Sequence, residues 1–239
     1  MKIEIWSEIA CPWCGLGSHR LDRAVERFEH SGQVAVVHRS YPLGSGLPED
    51  RTLSVREFVL AKYGAIPGQA GVPDIEGMAA AEGLAPYRVL DNRVGNTDLA
   101  HEFLALASAE GKNGEAWNMI FRAYFGQAES IFTPDDLLGF SDKLGLDREH
   151  THQVLADRRY RRQVQEDAHR AQQLGATGAP FTVIDGRYTV PGAQDTDTLL
   201  GILRQVWDET HPTALVPDKD AAVCGPDGCA VPADHTAHA

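Results

Sequence analysis

Two cysteines separated by two residues, Cys11-Pro12-Trp13-Cys14, follow directly on the strand-like run Lys2-Ile3-Glu4-Ile5-Trp6 and open a helix-like segment. A pair spaced in this way can exchange dithiol for disulfide within one helical turn. A helix N-terminus behind the first sulfur favours its thiolate, the form that attacks disulfides. A bare C-x-x-C is equally half of a zinc site. Placement separates the readings, because a redox pair belongs at a strand-to-helix junction of a βαβ unit, and a zinc site needs two further ligands. No second C-x-x-C or H-x-x-H lies nearby.

The pattern around the motif supports that unit. A helix is expected from about Cys11 to Glu29, with Leu16, Leu21, Val25 and Phe28 at helical spacing. Gln33 to Tyr41 reads as a second strand through Val34, Val36 and Val37, and a Pro- and Gly-rich loop follows over residues 42–50. From about Thr52 to Gly175 each segment reads as helical: Ser54–Tyr63, Thr97–Ala109, Glu115–Phe125, a helix capped by Thr133 with Pro134 at its first position, and one long charged helix from Asp147 to Leu174. A β-hairpin then returns, Phe181–Ile184 and Arg187–Val190 around Asp185-Gly186, and Thr196–Thr210 closes the chain as a helix. The order βαβ, helices, α-ββ-α predicts an α/β protein, a thioredoxin-like fold with a large all-helical insertion. Residues 1–50 and 176–210 form the discontinuous thioredoxin-like domain, 51–175 the helical insertion, and 211–239 a flexible, apolar-poor tail.

Charge and cysteine usage narrow the function. The 239 residues carry a net charge of −12, which disfavours binding to nucleic acid or to an anionic membrane surface. No apolar run approaches the roughly 20 residues that span a bilayer. The first strand begins at residue 2, leaving no room for a signal peptide, so a cytoplasmic location is expected. There a cysteine pair is more often catalytic or metal-binding than structural. The other two cysteines, Cys224 and Cys229, lie in the tail with none between residues 14 and 224, which is not the distribution of a disulfide scaffold.

The chain resembles the DsbA-like thioredoxin superfamily, and within it the FrnE-type oxidoreductases, with 2-hydroxychromene-2-carboxylate isomerases and kappa-class glutathione transferases as relatives. Four stretches carry the resemblance: Trp6-Ser7-Glu8-Ile9-Ala10-Cys11-Pro12-Trp13-Cys14-Gly15, Gly95-Asn96-Thr97-Asp98-Leu99-Ala100-His101, Ala123-Tyr124-Phe125 and Gly178-Ala179-Pro180-Phe181. It implies dithiol chemistry at Cys11 and Cys14, and a cis peptide between Ala179 and Pro180 opposite Cys11. Ala179 and Pro180 would then form the substrate-binding surface, offering backbone to an extended peptide.

The residues take the following roles. Cys11, at the helix start, is the candidate nucleophile, and a helix N-terminus lowers a thiol pKa from about 8.5 into a range of roughly 3.5–7.5. Cys14 resolves the mixed disulfide. Pro12 and Trp13 tune the pair, and Glu8 is expected to raise the Cys11 pKa if it lies close. Asn96, Thr97 and His101 are open to a capping, core or pocket-lining role, whereas Trp117, Tyr124 and Phe125 are expected in the core. The run Arg158-Arg159-Tyr160-Arg161-Arg162 reads as a solvated helix face. Cys224 and Cys229, around the turn-forming Pro226-Asp227-Gly228, are an accessory redox pair, with a metal site using tail histidines or a pair of plain exposed thiols as the other readings.

These readings converge on a protein-disulfide reductase or isomerase working through the CPWC dithiol. It needs no metal or organic cofactor, with glutathione as a possible reductant or co-substrate and disulfide-containing proteins, peptides or a small thiol as partners. Two rivals stand. One is a glutathione-dependent isomerase or transferase acting on a small aromatic molecule, whose relatives carry serine at the position of Cys11. The other is a chaperone-like peptide-binding module whose thiols are incidental.

Overall fold

The computed structural model describes residues 1–212 except 45, 67 and 70–72, together with the backbone of 224–225 and 228–229. Along the chain, β1 (Lys2–Ser7), α1 (Pro12–Glu26) and β2 (Ala35–Ser40) are followed by β3 (Leu53–Ser54), α2 (Val55–Tyr63), α3 (Ile75–Ala81) and β4 (Arg93–Val94). Next come α4 (Asp98–Ala109), α5 (Asn113–Phe121), α6 (Pro134–Leu144), α7 (Arg148–Ala156) and α8 (Arg161–Gln173). The chain returns through β5 (Phe181–Ile184), β6 (Tyr188–Pro191) and α9 (Thr196–Thr210). This is the thioredoxin-like α/β fold with its helical insertion.

A four-stranded sheet runs in the order β2-β1-β5-β6. β1 is parallel to β2, as a crossover through α1 requires, and antiparallel to β5. Alternation along β1 sends side chains to opposite faces. Ile3 and Ile5 pack with Leu21, Leu200 and Leu203 under α1 and α9, whereas Trp6 packs with Ala171 and Phe181 under α8. The register sets Trp6 opposite Phe181. The end of β1, where the chain turns to Cys11, therefore lies beside the start of β5, where Ala179 and Pro180 stand. The hairpin turn between β5 and β6 uses positive φ at Asp185 (49°) and Gly186 (68°).

The largest core cluster belongs to the insertion and reaches into α1. Phe103, Trp117, Tyr124, Phe125 and Phe140 are buried together with Ile9, Cys14 and Leu16. The outer edge of β2 is closed by an insertion residue. Asn113 Oδ1 accepts the His38 N–H at 2.8 Å and its Nδ2 donates to the His38 carbonyl at 3.0 Å, so the edge offers no free ladder there.

Several boundaries differ from the sequence reading. Helix α1 ends at Glu26 and strand β2 starts at Ala35, with a single 3-10 turn over Ser31–Gln33. The insertion is not wholly helical, because Leu53–Ser54 pairs antiparallel with Arg93–Val94. The helix after Lys112 runs over Asn113–Phe121 and continues as a π-helical turn, Arg122–Gly126. The predicted helix from Asp147 to Leu174 is two helices. Arg158 between them adopts a left-handed φ of 52°, which costs an L-residue roughly 1–2 kcal/mol. Its guanidinium explains the break: Nε donates to the buried Glu102 carboxylate at 2.8 Å and Nη1 to Glu49 at 2.9 Å. Arg158 thus leaves the solvated face expected for the basic run.

Candidate active site

Helix α1 starts where proline permits it. Pro12 occupies the first helical position, where its missing N–H is no loss, and Cys11 is the N-cap with extended dihedrals (φ −83°, ψ 116°). The Cys11 carbonyl accepts the Cys14 N–H at 2.9 Å. Cys11 is half-buried and Cys14 is fully buried one turn behind it. Close packing seats this turn, because a Cβ on Gly15 would lie 2.5 Å from the Tyr87 hydroxyl and 3.0 Å from the Phe125 ring. That hydroxyl donates to the Pro12 carbonyl at 2.5 Å.

The two sulfurs are electrostatically unequal. The Cys14 thiol beside it, with the backbone N–H groups of Cys14 and Trp13, holds the Cys11 pKa below its ordinary value against burial and the Glu8 charge. Burial first, and then the neighbouring Cys11 sulfur, push Cys14 well up. Cys11 is thus the more acidic thiol of the pair and Cys14 the less acidic.

The Ala179–Pro180 peptide is cis, and the Cys11 thiol reaches the Ala179 carbonyl with an S···O distance of 3.9 Å. The sheet register produces this neighbourhood, joining residues 168 positions apart.

Beneath the pair lies the buried carboxylate of Glu8. Its oxygens accept the N–H of Ala10 at 3.0 Å, the N–H of Leu43 at 2.9 Å and the Thr97 hydroxyl at 3.1 Å. His101 Nε2, with 0% exposure, is 3.6 Å away. Burial opposes ionisation of Glu8, and the His101 imidazole with the two N–H donors more than offsets it, so the carboxyl lies below its usual range. Thr97 is the N-cap of α4 by position, yet its hydroxyl serves Glu8 instead of the helix end. Asn96 caps in its place, its Oδ1 accepting the Asp98 N–H at 2.8 Å.

A cavity of about 530 Å³ opens beside Cys11, with Trp13 on one wall and Phe58, Tyr124 and Phe125 on others. Trp117 and His101 are core residues, whereas Tyr124 and Phe125 serve both core and cavity.

Matched against known proteins, residues 2–204 fit the DSBA-like thioredoxin domain. The chain belongs to this family. A crystal structure from Streptomyces coelicolor, described as a probable DsbA oxidoreductase, is 42% identical, covers 98% of this chain and 100% of its own, and superposes with a TM-score of 0.82. The fold is shared at lower identity by a 2-hydroxychromene-2-carboxylate isomerase (16% identical, 88% and 98% covered, TM-score 0.62). It is shared likewise by the cytosolic disulfide reductase DsbM from Pseudomonas aeruginosa (17%, 87% and 100%, TM-score 0.63). Among curated proteins, a Na(+)/H(+) antiporter NhaA 1 from Salinispora arenicola is 34% identical over 83 residues, which is 34% of this chain. The chain spans 12% of the length of that relative. No helix among the described residues is long and apolar enough to cross a membrane.

The DsbA-like core thus brings Cys11, Pro12, Trp13, Cys14, Ala179 and Pro180 into one place. Cys224 and Cys229 stand elsewhere in the chain. Cys224–Gly225 (β7) pairs antiparallel with Gly228–Cys229 (β8), Cys224 opposite Cys229, and their side chains lie outside the described residues, as does the rest of the tail from 213. Sequence reasoning named Glu8 only as a neighbour of Cys11 and missed what its carboxylate holds. The partners at Leu43, Thr97 and His101 carry no local signal, since a threonine before a helix reads as its cap.

Proposed function

We propose that this DsbA-like protein is a thiol–disulfide oxidoreductase of the FrnE type that uses the Cys11/Cys14 dithiol in reductase or isomerase work. The observation that carries the reading is the asymmetry of the pair: a half-buried Cys11 with a depressed pKa at the start of α1, 3.9 Å from the Ala179 carbonyl, and a buried Cys14 with a raised one. The Cys11 thiolate attacks one sulfur of a substrate disulfide, forms a mixed disulfide and releases the other sulfur as a thiolate. Cys14 then loses its proton and attacks Cys11, closing the Cys11–Cys14 disulfide and releasing the second thiolate. Two electrons pass from the dithiol to the substrate, so no bound metal or organic cofactor takes part. A thiol such as glutathione restores the dithiol, and Cys224/Cys229 serve as an accessory pair in the same exchange. Ala179 and Pro180 form the surface against which a peptide disulfide lies.

The test is a glutathione-buffered redox titration read by mass spectrometry of trapped thiols, with insulin reduction measured alongside. A reversible two-electron couple at Cys11/Cys14, and insulin turnover lost in Cys11→Ser, are expected. Absence of the couple with insulin untouched would remove this reading. The cavity beside Cys11 favours a second one, a glutathione-dependent isomerase of a small aromatic molecule. In that case Cys11→Ser retains activity on the small molecule.

A further inference from the structure

The cavity beside Cys11 has a composition that the exchange chemistry alone does not require. Its volume of about 530 Å³ falls within the roughly 300–1,000 Å³ of small-ligand pockets. Its walls are apolar and come largely from the insertion, with Val55, Phe58 and Val59 on α2, Ile75 on α3 and Val94 on β4. Two charged side chains reach it, Glu8 and Lys62. The Glu8 carboxylate already accepts three hydrogen bonds and faces His101. Lys62 has no ion-pair partner among the described residues. Its ammonium is held over the rings of Phe58 and Tyr63, 5.6 and 5.3 Å from their centroids. An exposed cation at the rim of an apolar pocket, in a chain of net charge −12, complements one kind of ligand: an apolar body ending in a single anionic group.

We propose that this cavity binds an apolar low-molecular-weight thiol carrying one carboxylate or sulfonate, delivered to Cys11 as its disulfide, with Lys62 pairing the acid group. The inference rests on the oxidoreductase reading and names the substrate class of the same site. Cys11 attacks one sulfur of RS–SR, giving the Cys11–SR mixed disulfide and RS⁻. Cys14, after losing its proton to solvent, displaces the second RS⁻ and leaves the protein disulfide. The dithiol supplies both electrons.

Three disulfides separate the possibilities when the reduced full-length protein is mixed with each in stopped flow: 5,5′-dithiobis(2-nitrobenzoate), aromatic with one carboxylate per sulfur; 4,4′-dithiodipyridine, aromatic and neutral; and hydroxyethyl disulfide, small and polar. The Cys11-dependent phase is obtained by subtracting the Cys11→Ser trace, which removes any contribution of Cys224 and Cys229. The expected result is a rate that saturates with the nitrobenzoate disulfide. Lys62→Gln should lower its second-order rate constant about three- to fivefold, the scale of an exposed ion pair. The dipyridine rate should be unchanged in Lys62→Gln, and Lys112→Gln, which removes an exposed charge outside the cavity lining, should change neither. Strict linearity with concentration, or equal effects of Lys62→Gln and Lys112→Gln, overturns the proposal. If hydroxyethyl disulfide is still reduced through Cys11, the oxidoreductase reading survives that result. If no disulfide is reduced and no two-electron couple exists, both fall together.

Discussion

The backbone N–H of Glu8 donates to the Cys14 sulfur at 3.4 Å, while the carboxylate of the same residue accepts from Leu43 and Thr97. One residue therefore ties Cys14 to the loop after β2 and to the N-cap of α4. The sheet and the helical insertion meet at Cys11 and Cys14, so the geometry of the two cysteines depends on the insertion.

Replacing that carboxylate tests the tie. Glu8→Gln is expected to destabilise the protein at pH 7 by about 1–3 kcal/mol, the cost of leaving buried donors badly matched. The pH dependence has a defined sign. The folded Glu8 pKa lies below the ordinary 4.5, so its stabilisation is present above about 4.5 and is lost as pH falls through the folded value. Urea denaturation of both proteins from pH 3 to 7 should show the gap closing on the acid side. A gap independent of pH would assign Glu8 a packing role only.

The unequal thiols predict unequal alkylation. Cys11, depressed below its ordinary 9.0, should react with iodoacetamide with a midpoint below that value, and Cys14, raised and buried, should stay unmodified across the same range. Peptide mass spectrometry of the reduced protein reads both rates. In Glu8→Gln the Cys11 midpoint should move down, because the Glu8 charge raises it. Equal reactivity at the two positions would contradict the assigned nucleophile.

The parts of this site that were legible in the sequence are those with a local signature. Cys11 and Cys14 sit beside Pro12, a helix-start residue, and the run from Lys2 to Trp6 marks β1. Thr133 caps α6 as its sequence context suggests, and the structure adds the reciprocal bond with Asp136 that completes a capping box. What stayed hidden depends on partners far along the chain. Nothing between Asp147 and Leu174 breaks a helix locally, and the break at Arg158 answers to Glu102, 56 positions away. The pair β3 and β4 is two residues per strand, too short for periodicity to mark. The cation of the cavity, Lys62, reads from sequence as an ordinary helix C-terminal lysine.

Gly15 should tolerate no side chain. Gly15→Ala places a methyl 2.5 Å from the Tyr87 hydroxyl and displaces it from the Pro12 carbonyl, for an expected loss of about 1–3 kcal/mol. Tyr87→Phe alone removes only the hydrogen bond, about 1 kcal/mol. The two changes share a contact, so the double variant should lose less than the sum of the single losses. Chemical denaturation of the four proteins measures the coupling, and strict additivity would show that the contact does not limit this turn.

Arg158 carries the sharpest structural prediction outside the site. Glu102 is almost fully buried and its pKa is raised, burial outweighing the pull of Arg158. Arg158→Ala strands that carboxylate without its partner and is expected to cost about 3 kcal/mol. A carboxyl with a raised folded pKa destabilises the protein above that value and is relieved as pH falls through it. The loss in Arg158→Ala should therefore shrink toward acid pH because the variant recovers stability, whereas the Glu8 gap closes because the wild type loses it. Adding Glu102→Gln to Arg158→Ala should restore part of the stability at pH 7, since the stranded charge is gone. If the double variant is no more stable than Arg158→Ala, the cost arises from the left-handed turn at residue 158 and not from the buried charge.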